Sequence, residues 1–200
     1  MKVSLAGTIR SIRADLRRRA ALEGLAPGFC SSFFTLLSPP GMAVFIGRWQ
    51  SFFAHHHLYP LAKLLAILNV VLFSFEMGFR SEIDEGLAVC TPLGVGIHNN
   101  TRIGKNCVIA GQVSFTIGPR LGLDEMKDRI VLEDEVLVGP GARIVGNVVL
   151  GHHSLVMANA VVTSSAPPYS LLEGVPARVV GSTDVARPFG SRPDPAEKNT

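Results

Sequence analysis

The sequence predicts a mostly β protein, built as a three-sided parallel β-helix that follows an N-terminal α-helical segment. The main observation is a period of six residues between positions 89 and 162. A strand alternates with period two and a helix repeats at about 3.6, so neither explains this period. A short strand, a tight turn and a corner, repeated three times per coil, does explain it. The residues that open successive blocks are Val95, Thr101, Cys107 and Val113, and then Val138, Ile144, Leu150 and Val156.

Turn-forming residues stand where such a coil needs corners. Glycine and asparagine accept a positive φ at low cost, and the candidate corners are Asn99-Asn100, Lys105-Asn106, 139–141 and Gly146-Asn147. One coil cannot bury its own apolar side, so several coils must stack. We expect this β-helix domain at 79–181, interrupted by a projecting polar loop at 118–129. Residues 182–200 contain three prolines, and we expect them to form a flexible tail.

Residues 1–78 are expected to form a helical domain. Leu5, Ile9, Ile12 and Leu16 recur at helical spacing with arginines on the other side, which predicts an amphipathic helix. A second helix is expected at 42–57, after a proline-containing loop at 25–41. Residues 58–75 are the most apolar segment, but their uncharged run, 64–75, is shorter than the roughly twenty residues that span a bilayer. We therefore expect a helix that is buried or shared between subunits, with peripheral membrane contact left open.

The composition narrows the classes of partner. The chain has a formal charge of +3, yet residues 1–30 contain six basic residues against two acidic ones. No aromatic residues interleave with those arginines, so we expect no nucleic-acid binding. The three cysteines lack the spacing of a metal site, and the N-terminal residues show no secretory signal pattern, so we expect a cytoplasmic protein without a metal. The adjacent His55, His56 and His57 cannot all face one ion from a helix, and we interpret them as surface residues.

Three runs of the sequence resemble a known family. They are Gly139-Pro-Gly-Ala-Arg-Ile-Val-Gly-Asn, Ala158-Asn-Ala-Val-Val-Thr and Gly174-Val-Pro-Ala-Arg-Val-Val-Gly. Together they resemble the hexapeptide-repeat acyltransferases, and more narrowly the serine O-acetyltransferases. The runs that begin at Ile12 and Ser38, the second of which includes Gly47-Arg48-Trp49, look like a shortened form of that family's helical N-terminus. The resemblance implies a left-handed parallel β-helix, a homotrimer with clefts between neighbouring prisms, and acetyl-coenzyme A as the donor.

The resemblance also implies a binding floor for the donor. An extended pantetheine arm suits a shallow groove with small side chains, and the residues expected to form it are Pro140, Gly141, Ala142, Ala158 and Thr163. Arg178, in the Pro-Ala-Arg match, would face the nucleotide phosphates, where a planar cation is well suited. These small residues could also serve only to turn corners, and both roles are compatible.

The catalytic part of the family pattern is altered in this sequence. The family has an Asp-His-x-x-Gly run, in which the histidine is the base, and an acid fifteen residues earlier orients that histidine. Here the run reads Cys90-Thr91-Pro-Leu-Gly, and Glu76 takes the place of the acid. Thr91 therefore stands where the base belongs, and threonine cannot act as a base near neutral pH. Of the family's Asp-Arg-His substrate run, Asp128 and Arg129 remain.

Other residues could take over the role of the base. His98, His152 and His153 are interpreted as corner residues, although His98 or the cluster at 55–57 could reach a cleft of a neighbouring subunit. Cys90 could suggest a covalent acyl-enzyme, but no base is visible beside it in the sequence.

Two functions follow from these patterns. The first is an acyltransferase that moves an acetyl or related group to a small hydroxyl or amine acceptor other than serine, for example in a polysaccharide or secondary-metabolite pathway. The alternative is a catalytically impaired trimeric relative that binds coenzyme A and acts as a regulator or scaffold. Relatives that dock on cysteine synthase end in isoleucine, whereas this chain ends in Thr200, so we expect no such complex.

Overall fold

The protein consists of a helical layer followed by a coiled β structure. The computed structural model describes residues 4–26, 28–117 and 128–183. The helices are α1 (Leu5–Leu22), α2 (Phe29–Leu37), α3 (Pro39–His55) and α4 (Tyr59–Phe73). Of the predicted loop at 118–129 and the predicted tail at 182–200, only 128–129 and 182–183 belong to the described residues.

Serine residues cap two of the helices. The side chain of Ser4 accepts the N–H of Gly7 at 3.1 Å, and Ser38 accepts the N–H of Gly41 at 3.3 Å. Each cap satisfies a backbone donor that the first helical turn leaves unpaired. The sequence predicted a loop at 25–41, whereas Phe29–Leu37 is helical, because this segment packs against both α1 and α3. Local proline content therefore gave the wrong prediction where tertiary packing decides.

Within the described residues, fifteen short strands form three sheets. The strands are β1 (Phe75–Met77), β2 (Glu82–Ile83), β3 (Ala88–Val89), β4 (Val95–Ile97), β5 (Thr101–Ile103), β6 (Val108–Ile109), β7 (Ser114–Thr116), β8 (Ile130–Leu132), β9 (Leu137–Val138), β10 (Arg143–Val145), β11 (Val148–Leu150), β12 (Leu155–Val156), β13 (Val161–Val162), β14 (Ser170–Gly174) and β15 (Ala177–Ser182). Strand β1 starts before residue 79, where the sequence placed the beginning of the β domain.

The chain visits the three sheets in turn, once per coil. Sheet A has the order β1-β4-β7-β10-β13, sheet B the order β11-β8-β5-β2, and sheet C the order β15-β14-β12-β9-β6-β3. Neighbouring strands are parallel except β14 and β15. Coil 1 is thus β1 to β3, coil 2 is β4 to β6, coil 3 is β7 to β9 and coil 4 is β10 to β12, while coil 5 closes with β13 and β14. The prediction of parallel sheets behind an N-terminal helical region is confirmed.

The core is a stack of the aliphatic residues that recur every six positions. Val138, Ile144, Leu150 and Val156 are all 0% exposed. Thr101, the one polar member of the series, is buried as well, and its hydroxyl has no hydrogen-bond partner among the described residues. The period therefore reports which side chains face inward.

Corners require a left-handed backbone at equivalent positions of successive coils. At the corner from sheet B to sheet C these residues are Gly86, Asn106, Glu135, His153 and Tyr169, with φ between 57° and 86°. At the corner from sheet C to sheet A they are Gly94, Gln112, Gly141 and Asn159. Several are neither glycine nor asparagine, and such residues adopt this conformation only at some cost. The stacking of neighbouring coils must compensate for that cost.

A buried ion pair connects the helical layer to coil 1. Arg48 donates to the carboxylate of Asp15 through Nε at 2.8 Å and through a terminal nitrogen at 3.0 Å. The same guanidinium donates to the carbonyls of Ile83 at 2.6 Å and of Asp84 at 2.7 Å. Burial raises the pKa of Asp15, while Arg48 and two backbone amides of coil 1 act in the opposite direction.

Helix α4 leaves much of its apolar surface uncovered. Its exposed large aliphatic side chains are Leu61, Leu64, Ile67, Leu68, Val70, Val71 and Leu72. No single helix in the described part of the chain has the length and apolar character to cross a bilayer. Cys30–Leu37 and Pro39–His55 meet those criteria only as a pair that is bent by 85°.

Candidate functional site

The outer face of sheet A carries a column of aligned residues, one per coil, of which three are polar. The strand registers align Glu76 with Gly96, Gly96 with Ser114, and Ser114 with Arg143. Val161 completes this column in coil 5. Arg143 donates to the hydroxyl of Ser114 at 2.9 Å. We call this surface face A. Since adjacent strands lie about 4.8 Å apart, Glu76 and Arg143 are separated by three strand spacings.

The corner from sheet C to sheet A borders face A and collects three of the sequence-predicted residues. Extending the registers Val89 with Ile109, Ile109 with Val138, and Val138 with Val156 by two positions gives the column Thr91, Gly111, Pro140 and Ala158. A Cβ built on Gly111 would lie 3.1 Å from the Cβ of Thr91. The structure therefore brings Thr91 to the same corner as Pro140 and Ala158, although the sequence separates them by some fifty to seventy residues.

Gly141 and Ala142, which were also predicted to contact the acyl donor, differ in orientation at this corner. Gly141 has a φ of 73° and is half-buried. A Cβ there would lie 2.1 Å from the amide oxygen of Asn159, so only glycine fits beneath the next coil. Ala142 is 0% exposed and belongs to the core. Its side chain points inward, and only its backbone could contact a ligand at the surface.

Glu76 lies in a cleft between face A and helix α4. The cleft has a volume of about 350 Å³, and Lys63, Ile67 and Val71 of the helix line it together with Glu76. Glu76 is exposed and has no ion-pair or hydrogen-bond partner among the described residues. A carboxylate beside an apolar wall, with an ammonium group on the same cleft, is available to exchange a proton with a ligand.

A second column at the far edge of face A contains a histidine that the sequence analysis had interpreted as a corner residue. By the same registers it consists of Gly78, His98, Thr116, Val145 and Thr163. Nδ1 of His98 accepts the N–H of Asn100 at 3.3 Å. The neutral ring therefore carries its proton on Nε2, which can donate a hydrogen bond but cannot accept a proton. No signal in the single sequence distinguishes this histidine from a solvent-exposed one.

Arg129 and Arg178 lie away from the residues around Glu76. Arg129 forms a 2.6 Å ion pair with Glu82 of strand β2, and its N–H donates to the side chain of Asn147 at 3.2 Å. Arg178 is exposed on β15, beyond the last coil, and donates to the carbonyl of Ala177 at 3.1 Å. Within one chain, the predicted residues therefore fall on both edges of face A, beside sheet B and at the end of sheet C.

The chain's six histidines are all described, and His98 is the only one beside face A. His152 and His153 lie at the corner from sheet B to sheet C, beside Glu133 at 3.2 Å and Glu135 at 3.3 Å. His55 is the last residue of α3, and its Nδ1 lies 2.8 Å from the carbonyl oxygen of Ser51. Over the described ranges, no group of three histidine, cysteine or acidic side chains is placed to hold a metal ion.

Comparison with known proteins places these features in a family. No protein-family model matches the sequence. The serine acetyltransferase of Staphylococcus xylosus is 30% identical over 155 residues, which is 74% of this chain and 70% of that protein. The chain belongs to the serine acetyltransferase family. It is therefore an acyltransferase, and the resemblance predicted from the sequence is confirmed.

Further members and solved structures of the serine acetyltransferase family agree with this assignment. The Haemophilus influenzae enzyme is 30% identical over 145 residues, or 70% of this chain and 53% of that protein. Among structures, soybean serine acetyltransferase has a TM-score of 0.76 at 26% identity, covering 88% of this chain and 69% of that one. The Neisseria gonorrhoeae enzyme has a TM-score of 0.79 at 22% identity, covering 90% of this chain and 68% of that one, which shows a shared fold.

As a member of the serine acetyltransferase family, the protein offers on face A a set of groups suited to proton transfer and charge stabilisation. Glu76 can take up a proton, Nε2 of His98 and the guanidinium of Arg143 can donate hydrogen bonds, and Thr91 can hold a polar ligand at the adjoining corner. Cys90 is only half-buried beside Thr91, and no histidine stands at that corner to activate it.

Proposed function

We propose that the protein transfers an acyl group, first of all acetyl from acetyl-coenzyme A, to a hydroxyl or amine of a small acceptor other than free serine. The observation that carries this proposal is face A, where an exposed carboxylate, a donor-rich polar column and a corner of small residues lie together. The related Brucella abortus serine acetyltransferase was solved in complex with coenzyme A, and the Neisseria gonorrhoeae enzyme in complex with serine. We propose that this chain also binds coenzyme A.

In the proposed reaction, Glu76 is the proton acceptor. The acceptor oxygen or nitrogen attacks the thioester carbonyl carbon, and its proton passes to the Glu76 carboxylate. The carbon–sulfur bond breaks, and the coenzyme leaves as a thiolate that takes the proton from Glu76, which restores the carboxylate. Nε2 of His98, one coil from Glu76, can donate a hydrogen bond to the charge that develops on the carbonyl oxygen. Thr91 contributes a hydrogen bond to the acceptor instead of the imidazole base of the family pattern.

The proposal that the acceptor is not serine rests on two positions. Thr91 lacks the basic nitrogen that the family pattern places at this corner. Ile130 follows Arg129, where the family's substrate run has a histidine, and it is 0% exposed with its side chain in the core. Both positions of the serine-handling pattern therefore lack an imidazole, so a different acceptor is expected.

We further propose a homotrimer in which the complete site forms between neighbouring prisms, with a left-handed winding of the coils. Glu76 and Thr163 lie in the two different columns of face A, and Arg129 is held on the side of sheet B by Glu82. A neighbour packed against face A would bring one edge of its own prism to these residues. The uncovered apolar surface of α4 adjoins the Glu76 cleft and supports this arrangement, because an isolated protomer would leave it in water.

The test of the chemistry is release of free coenzyme A from acetyl-coenzyme A with a panel of sugar hydroxyl, amino-sugar and amino-acid acceptors. We expect turnover with an acceptor other than serine, and a loss of about 10²–10⁴-fold in kcat/KM in Glu76→Gln. Thr91→His restores at this corner the imidazole of the family pattern and should raise the rate. Full activity of Glu76→Gln, or serine as the best acceptor, contradicts the proposal.

A substitution at Gly96 tests the location of the site without disturbing the fold. Gly96 lies between Glu76 and Ser114, and a Cβ built there would meet no atom within 4 Å. Gly96→Leu should therefore keep the wild-type melting temperature and block face A, lowering kcat/KM by about 10²-fold or more. Gly181→Leu is the matched control, because its Cβ would meet only ordinary contact, with the nearest atom at 3.8 Å. Equal activity of both variants would place the reaction elsewhere.

The second candidate function is a coenzyme A-binding regulator or scaffold without turnover. The absence of any histidine at the corner of Thr91 favours it. Calorimetry separates the two functions. Binding of coenzyme A that Gly96→Leu abolishes, together with no thiol release for any acceptor, would support the scaffold function.

A further inference from the structure

A groove at the B-to-C corner of the prism collects basic side chains. Helix α1 forms one wall of the groove, and the B-to-C corners of the first two coils form the other. Its volume is about 650 Å³, and Arg10, Arg13, Arg17 and Lys105 line it together with a single carboxylate, that of Glu85. Four cations against one acid leave three net positive charges in one concave surface.

The three arginines in this basic groove have no partner in the described part of the chain. They are exposed, and they recur at spacings of three and four along α1, which places them on one face of the helix. Two other charged residues of α1 are engaged: Asp15 binds Arg48, and Arg19 binds Glu23 at 2.7 Å. Like charges held side by side repel each other, and an anion between them removes that repulsion.

The tertiary structure, and not helix α1 alone, creates the basic groove. Lys105 comes from the corner of coil 2, where its ammonium lies 3.8 Å from Glu85. The surface charge becomes negative at the next coil, where the carboxylate of Asp134 accepts the backbone N–H of Lys105 at 2.7 Å. The positive region is therefore bounded, and Ile9 and Ala14 give it a partly apolar lining. These features distinguish it from a basic helix face that is uniformly surrounded by water.

We propose that the basic groove binds a phosphate-bearing ligand, such as a phosphate ester or a diphosphate. Arginine is suited to this chemistry, because its planar guanidinium donates two parallel hydrogen bonds to a phosphate. The volume lies within the range of small-molecule sites, about 300–1,000 Å³. The groove borders coils 1 and 2 at the B-to-C corner, whereas Pro140 and Ala158 lie on coils 3 and 4 at the C-to-A corner. The ligand is therefore separate from the acyl donor, and this inference does not depend on the proposed acyl transfer.

The test uses the full chain and two sources of phosphate. In one arm, sodium pyrophosphate is titrated into the protein by calorimetry. In the other, the protein is sedimented with vesicles of phosphatidylglycerol and phosphatidylcholine, and with vesicles of phosphatidylcholine alone. The variant is Arg13→Gln with Arg17→Gln. Its matched control is Arg80→Gln with Arg102→Gln, which removes the same charge outside the groove.

Binding in either arm should weaken about tenfold or more in the Arg13/Arg17 variant and change less than about twofold in the control. Binding of pyrophosphate would identify a soluble ligand, and binding of the anionic vesicles alone would identify a lipid headgroup; each supports the proposal. The arginines are exposed and unpaired, so circular dichroism should show an unchanged fold. No binding in either arm, or equal weakening in the control, overturns the proposal.

Discussion

Replacing Asp15 by alanine removes the carboxylate that joins helix α1 to the β-helix. This carboxylate accepts two hydrogen bonds from Arg48 and two from the backbone N–H groups of Gly86 at 2.9 Å and Leu87 at 2.8 Å. Asp15 is 3% exposed and Arg48 is 8% exposed. The substitution therefore leaves a buried guanidinium without its counter-charge and two buried backbone donors without an acceptor.

The expected cost follows from that geometry. Removing one partner of a buried ion pair typically costs about 3–5 kcal/mol, because the other charge stays buried. Arg48 retains the carbonyls of Ile83 and Asp84, so we expect the lower part of that range, about 3 kcal/mol. For a chain of this length, 1 kcal/mol corresponds to about 2–4 °C in Tm. The Tm of Asp15→Ala should accordingly fall by about 6–12 °C.

The assays are thermal and chemical denaturation, both followed by circular dichroism at a fixed protomer concentration, because self-association would shift the apparent stability. Glu23→Ala is the matched control. It breaks the exposed Arg19–Glu23 pair, whose N···O distance of 2.7 Å is close to the 2.8 Å of the Arg48–Asp15 pair. This substitution should cost less than about 1 kcal/mol. The double variant Asp15→Leu with Arg48→Met should be more stable than Asp15→Ala, since it leaves no unpaired charge. A loss below 1 kcal/mol in Asp15→Ala would refute this account of how the two layers are joined.

Three further outcomes follow from other parts of the structure. Thiol labelling should modify the exposed Cys30 first and leave Cys107 unmodified until the protein unfolds. The reason is that burial raises the pKa of Cys107 to about 12 and its side chain is 0% exposed. Early labelling of Cys107 would contradict this and show that the coil opens in the folded protein. Gly86→Ala should cost about 1–3 kcal/mol by denaturation, because Gly86 has a φ of 86° and a Cβ would lie 2.3 Å from a side-chain oxygen of the next coil. If the active site forms between protomers, co-expression of Glu76→Ala and Arg129→Ala should restore about a quarter of the wild-type activity through mixed trimers; zero recovery would place both groups in one protomer's site.

The fold can be predicted from the sequence because the residues that face inward recur at a strict spacing. A coil can bury only one side of each short strand, so every sixth residue has to be aliphatic or small, as Val138 and Ile144 are. The backbone conformation at the corners is harder to predict. Glu135, His153 and Tyr169 adopt the left-handed conformation, and nothing in these residue types indicates it, because the stacked coils above and below impose it.

The candidate site is only partly contained in the sequence. The resemblance identified Glu76 and Thr91, and it grouped Pro140 with Ala158. It also counted Ala142 among the donor residues, although the side chain of Ala142 faces the core. His98 was interpreted as an ordinary corner residue, because its position beside face A depends on the register between strands of different coils.

The sequence by itself determined the six-residue period, the inward stack and the family, because each depends on residues that are close together along the chain. The tertiary structure decided which of the outward residues meet. Consecutive coils place residues some twenty to thirty positions apart about 4.8 Å from one another, so Glu76, Ser114 and Arg143 become one surface, and Lys105 joins the arginines of α1. Such neighbours are fixed by strand register and by the buried Asp15–Arg48 pair, and neither is visible as a local pattern.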